Sequence, residues 1–140
     1  MEVRKLFSYN AVFTGIVGLA SSTQNIQIQA DSDFDLQKLT FTADIGIAAV
    51  TESTRIIPLC NVLITDTGTG EQFSDVAVPV NSLFGNGELP FILPRARRIA
   101  ARSSLSITMN NRTAATTYNI QLSFIGEKIY NYPGVPTPSR

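Results

Sequence analysis

The chain has 140 residues, 44% apolar and 16% charged, which gives one domain with a full core and excludes a disordered polymer. Its 11 Lys plus Arg balance 11 Asp plus Glu, so it lacks the positive excess that general nucleic-acid binding needs. There is no histidine, which excludes Ser-His-Asp and Cys-His catalysis, His-ligated zinc and a histidine pH switch, and the single cysteine, Cys60, excludes an internal disulfide.

In chain order, residues 1–10 hold a charged start and then LFSY, which reads as an N-terminal arm or an edge strand. Residues 11–20 read as a strand. Arg4 and Lys5 ahead of AVFTGIVGLASS mimic a secretory leader, but Thr14, Gly15 and Gly18 break the apolar run, and the strand reading is preferred. No stretch reaches the roughly 20 apolar residues of a membrane-spanning helix, so neither membrane nor nucleic acid is an expected partner. Ser21-Ser22-Thr23-Gln24 supplies a turn. Ile26 and Ile28 then alternate with Gln27 and Gln29, and DSDFD at 31–35 is a turn cluster. Leu39, Phe41, Ala43 and Ile45 alternate with Lys38, Thr40, Thr42 and Asp44, the pattern of a half-buried strand.

Residues 46–56 fit a short helix or a loop. Residues 58–65 form a strand, with Cys60 as a small buried hydrophobe, and Asp66 to Gly70 form a turn. Val76, Val78 and Val80 make a strand that Pro79 confines to a sheet edge. Residues 81–97 hold two glycines and two prolines and read as a long structured loop with a short extended stretch, not a helix. Residues 98–130 read as one two-stranded ribbon. Leu105, Ile107 and Met109 alternate on its first strand, Tyr118, Ile120, Leu122 and Phe124 on its second, and NNRTAAT makes the hairpin between them. The tail at 131–140 carries three prolines and is expected to be extended. The sum is an all-β, single-domain β-sandwich of jelly-roll type at 11–130, flanked by an N-terminal arm or edge strand and a C-terminal arm.

Few motifs suggest chemistry. Leu63-Ile64-Thr65-Asp66-Thr67-Gly68-Thr69 resembles the active-site turn of aspartic proteases, where two aspartates share a proton. One copy per chain would require a homodimer built around Asp66, and a plain hairpin turn uses the same residues. Asn111-Arg112-Thr113 fits a glycosylation site but falls on the expected hairpin turn. Asp31, Asp33 and Asp35 are spaced like calcium ligands without the glycine and glutamate of an EF-hand, so a solvated turn is preferred. Arg95, Arg97, Arg98 and Arg102 form either a polar strand face or a basic patch, for which DSDFD on a neighbouring copy is a natural complement.

Four segments in order carry a family resemblance: IQIQADSDF at 26–34, the central TDTGTGEQFSD, FGNGELPFILPRARRIAARSSLSI at 84–107, and LSFIGEKIY at 122–130. The shared elements are Asp33-Phe34 before a strand, Phe84-Gly85-x-Gly87-x-x-Pro90, Arg98 and Ala100 before an alternating strand, and Gly126-x-Lys128-x-Tyr130. Across 26–130 the chain resembles small virion proteins of tailed bacteriophages, most of all capsid decoration (cement) proteins. The resemblance implies a structural, non-enzymatic protein on the capsid exterior, assembled in the host bacterial cytoplasm. Its partners would be the major capsid protein and further copies of itself, as dimer or trimer, with a place in the neck or tail as the close variant. No catalytic residue, metal or cofactor is expected. The expected interface draws on Asp31, Asp33 and Phe34, on Phe84, Gly85, Gly87, Pro90, Phe91 and Ile92, on Arg95, Arg97 and Arg98, and on Tyr130, Tyr132 and Pro133.

Overall fold

The computed structural model describes residues 2–45 and 56–131. Most of the ambiguous segment at 46–56, and the tail with Tyr132 and Pro133, lie outside the described residues. In order, the elements are β1 (Glu2–Ile16), β2 (Ser21–Gln27), β3 (Asp33–Ile45), β4 (Cys60–Asp66), β5 (Val78–Pro79), α1 (Val80–Leu83), β6 (Phe91–Ile99), β7 (Ser104–Asn111) and β8 (Tyr118–Asn131). They form two four-stranded antiparallel sheets, β1-β8-β3-β6 and β2-β7-β4-β5. The all-β expectation holds at that level.

Period-two alternation builds the core. Leu105, Ile107 and Met109 of β7, Val62 and Ile64 of β4, Ile120, Leu122 and Phe124 of β8, and Ala11 and Phe13 of β1 are all buried in one cluster shared by the two sheets. Each such aliphatic or aromatic side chain contributes about 1.5–3 kcal/mol when taken from water. Phe84 and Phe124 meet edge to face at 5.7 Å, and Tyr9 meets Phe34 at 4.9 Å. On β3 the phase slips: Leu36 and Leu39 both point inward because a bulge at Gln37 shifts the register against both neighbouring strands.

The largest correction concerns the expected two-stranded ribbon. The alternation in β7 and β8 is real, but the two strands lie in different sheets: β7 pairs with β2 and β4, and β8 with β1 and β3. The connection at 112–117 crosses between sheets. Asn111 holds it there, its buried Nδ2 donating to the Ile16 and Thr116 carbonyls at 3.0 and 2.7 Å and its Oδ1 accepting Thr113 N–H at 3.0 Å.

Smaller corrections have local causes. Residues 21–24 are strand, not turn. The reversal lies at 17–20, where Ala20 N–H reaches the Val17 carbonyl and Leu19 takes a φ of 57°. Gly18 is required in that reversal because a Cβ would stand 2.4 Å from the Ala114 carbonyl oxygen. Only Asp31 of DSDFD is in a turn, with Ala30 before it, since β3 begins at Asp33. The valine strand shrinks to Val78–Pro79, with Val76 exposed outside it and Val80 opening a helical turn; its edge position is correct. The loop expected at 81–97 contains the rest of that turn and most of β6. Residues 2–10 are the first part of β1, at the outer edge of its sheet.

Candidate interaction surfaces

The acidic cluster and the arginines come together within the chain, at the end of the first sheet where β1 and β3 begin and β6 and β8 end. Asp35 faces Arg98 in register across β3 and β6. Its Oδ1 accepts Arg98 Nε at 2.6 Å and its Oδ2 accepts Arg4 Nη1 at 2.8 Å. Asp33 lies 3.6 Å from Arg98 and accepts the Ala101 N–H at 2.9 Å. Burial alone would raise the Asp35 pKa, but hydrogen bonds and charge from Arg98 and Arg4 outweigh it and hold the carboxyl below the ordinary aspartate range. The cluster is therefore not left open for a neighbouring copy: Asp33 and Asp35 are already neutralised by Arg98 and Arg4. Arg97 is engaged too, with Glu71 at 2.9 Å and stacked 4.5 Å over the Phe73 ring. Arg95 projects into solvent.

Lys128, which sequence reading left unassigned to any role, is 3% exposed. Its ammonium binds Gln29 Oε1, sits 4.1 Å over the Phe7 ring and lies 3.5 Å from Asp31. Its signal in the sequence was its inward parity on β8 between Phe124 and the chain end.

The loop before β6 divides in two. Phe34 and Phe84, expected at the interface, are 0% and 2% exposed and belong to the core, so neither can enter a partner's pocket. Gly85 is structural. It bridges to Thr40, donating to the Leu39 carbonyl and accepting from Phe41 N–H, and a Cβ there would stand 2.1 Å from the Leu89 carbonyl oxygen. Asn86 Oδ1 accepts Glu88 and Leu89 N–H at 2.9 and 2.7 Å. That tight turn holds out Leu89, 78% exposed, and beyond it Phe91 and Ile92, the latter 64% exposed. Pro90 between them is partly exposed. Beside this turn, Gly87 and Asn86 line an open depression of about 640 Å³ with Phe41, Thr42, Ile56 and Ile57.

Asp66 ends β4, buried at 3% exposure. Its Oδ1 accepts Gly68 N–H at 2.9 Å, and its backbone N–H and C=O bond to Glu71 and Gly70. Every one of these contacts builds the hairpin turn. Asn111 is likewise buried, and its amide is used on both sides, which leaves no room for a glycan in the folded chain. Burial pushes the Cys60 thiol up to about 11. Among the described residues no group of three or more acidic, Cys or His side chains is placed to hold a metal, and no helix is long and apolar enough to cross a membrane.

Sequence reading missed the outward face of the second sheet. Strand register sets Ser21, Asn110 and Asn61 in one row, Thr23, Thr108 and Leu63 in the next, then Asn25, Ser106 and Thr65, and last Gln27 with Ser104. No Asp, Glu, Lys or Arg stands in these rows. The hydroxyls couple across strands, Thr23 to Thr108 at 3.1 Å and Thr67 to Ser104 at 2.8 Å. The signal was present in the polar positions of β2 and β7, but the pairing that joins them spans about eighty residues and is invisible to a local window. Comparison with known protein families, curated proteins and solved structures found no match.

Proposed function

We propose that the chain is a structural virion protein: a β-sandwich of jelly-roll type that assembles with copies of itself on the outer surface of a tailed-phage capsid and stabilises the major capsid protein lattice. The strand orders β1-β8-β3-β6 and β2-β7-β4-β5 support the jelly-roll reading, because in that fold successive strands wind between two four-stranded sheets and the last two strands return beside the first two. Jelly rolls also serve as lectins and cupins, so the step from fold to assembly rests on analogy and on the surfaces.

The observation that carries the reading is the charge-free outward face of β2, β7 and β4. Soluble surfaces commonly carry charged side chains at roughly a quarter to a third of positions, and buried interface centres are depleted in charge. A hydrogen-bonding, uncharged sheet face suits docking on a protein lattice. The interior supports the same view: it is filled by Phe13, Phe34, Phe84 and Phe124, so recognition falls to the outside. Residues 89–92 add apolar contact area at one end. Modest contacts of this kind become strong retention when repeated over a shell.

The test is direct. Purified virions run on a denaturing gel contain a band at 15.2 kDa, and its copy number separates a lattice-wide decoration from the neck or tail variant. The purified chain also co-sediments with capsids stripped of it, and Thr108→Lys in the middle of the uncharged face abolishes that binding without unfolding the protein. Virions lacking the band end the proposal.

A further inference from the structure

The four sheet edges are not alike. β6 is blocked: Leu36 pairs with Arg97 and Lys38 with Ile92, so residues 93–96 bulge out with Pro94 among them, and Arg95, Arg97 and Arg98 line the strand. β5 is two residues long and includes Pro79. Proline, bulges, short length and charge are the devices that keep sheet edges from pairing with other chains. β2 is a short edge of seven residues. β1 runs from Glu2 to Ile16, pairs only with β8, and has no proline; its charges stop at Lys5, leaving LFSYNAVFT uncharged. No described strand lies on its other side. Its outward positions carry two large exposed apolar side chains, Leu6 at 78% and Val12 at 54%.

We propose that β1 pairs antiparallel with β1 of a second copy about a two-fold axis at Tyr9, joining the two β1-containing sheets into one of eight strands. That axis sets Leu6 opposite Val12 of the second copy, and Val12 opposite its Leu6, so both apolar side chains are covered at once. It also sets Ser8 opposite Asn10, a hydrogen-bonding pair. A register shifted by two residues puts Leu6 against Asn10 or Thr14 and leaves Val12 unmatched, and a parallel arrangement would stack Arg4 and Lys5 on their own copies. Any antiparallel register of two copies is two-fold symmetric, as an isologous interface requires, and the Tyr9-centred one is the register that sets Leu6 against Val12 in both directions. Pairing over residues 4–14 adds about ten backbone hydrogen bonds, the number an ordinary protein interface carries. The inference deepens the self-association in the reading above and does not depend on the identity of the shell: a dimer that binds no capsid would sink that reading and leave this one standing.

Sedimentation equilibrium of the full chain gives twice the 15.2 kDa chain mass. Leu6→Lys with Val12→Lys reverts it to monomer while circular dichroism remains that of the folded sheet protein, since both side chains are exposed, and the melting temperature loses its dependence on protein concentration. Opposed residues of an antiparallel pair stand about 4.5–5.5 Å apart at Cα, within disulfide range. The Leu6→Cys, Val12→Cys variant therefore oxidises to a covalent dimer linked 6 to 12 by mass spectrometry, whereas Leu6→Cys with Thr14→Cys does not. A wild-type monomer at all concentrations, a dimer that survives the lysine pair, or cross-links in the shifted register would each overturn the proposal.

Discussion

Replacing Asp35 by Asn tests whether the charged end is an ion-pair clamp or a set of incidental surface contacts. The Asp35 side chain is 10% exposed and takes one arginine on each oxygen, at 2.6 and 2.8 Å. A hydrogen bond to a charged group contributes about 1.5–3 kcal/mol. Arg4 and Arg98 are 37% and 46% exposed, so water screens both, and Glu127 at 3.7 Å from Arg4 and Asp33 at 3.6 Å from Arg98 offer partial replacements. Asn also keeps one acceptor. The expected loss at pH 7 is therefore about 2 kcal/mol, below the sum of two full bonds. Because the folded pKa of Asp35 is depressed, its contribution is complete above the unfolded aspartate value near 3.9 and disappears as pH falls through the folded value. Urea unfolding followed by far-ultraviolet circular dichroism should show the variant's midpoint about 1 M below wild type at pH 7, with the gap narrowing steadily below about pH 4. A gap of equal size at pH 7 and pH 3 would mean that Asn disturbs packing, not charge, and the clamp account would be wrong.

Gly126→Ala should lower stability by about 3 kcal/mol and the melting temperature by about 10 °C, since the new Cβ would stand 1.8 Å from the Asp35 carbonyl oxygen and backbone must move to admit it; a melt within 2 °C of wild type (about 0.5 kcal/mol) contradicts that. Asp66→Asn keeps the acceptor for Gly68 N–H and should change stability by less than about 0.5 kcal/mol, while Asp66→Ala costs about 1 kcal/mol. Peptide cleavage lost on Asp66→Asn would instead revive the dimeric protease reading. Cys60, buried with its pKa raised to about 11, should react with a thiol reagent at pH 8 only after unfolding, and rapid labelling of the folded chain would show the thiol open to solvent.

What the sequence made legible was orientation, not partnership. Leu105, Ile107 and Met109 were readable as one buried face because the period of two is a property of a single strand. Nothing local says which strand lies alongside. The turn-like residues between β7 and β8 suggested a hairpin, yet every successive pair of strands except β4 and β5 changes sheet, so hairpin logic fails almost everywhere in this chain. The same limit explains the site. DSDFD and the arginines were found as clusters, but that Asp35 and Arg98 are cross-strand neighbours follows only from the β3 and β6 register. Phe34 and Phe84 were placed at the expected interface, and the bulge at Gln37 and the close approach of Gly85, which seat them inward, leave no pattern in a linear string.

The strand order also dictates when the molecule can exist. β8 fills the place between β1 and β3, and β7 the place between β2 and β4, so these two inner seats go to the last two of the eight strands in chain order. A chain without the residues from Ser104 on holds flanking strands with gaps between them, and neither sheet can close until β7 and β8 are in place. Until β8 inserts, the facing borders of β1 and β3 stay unpaired, so the interval before it docks is when the chain is most open to entanglement with others.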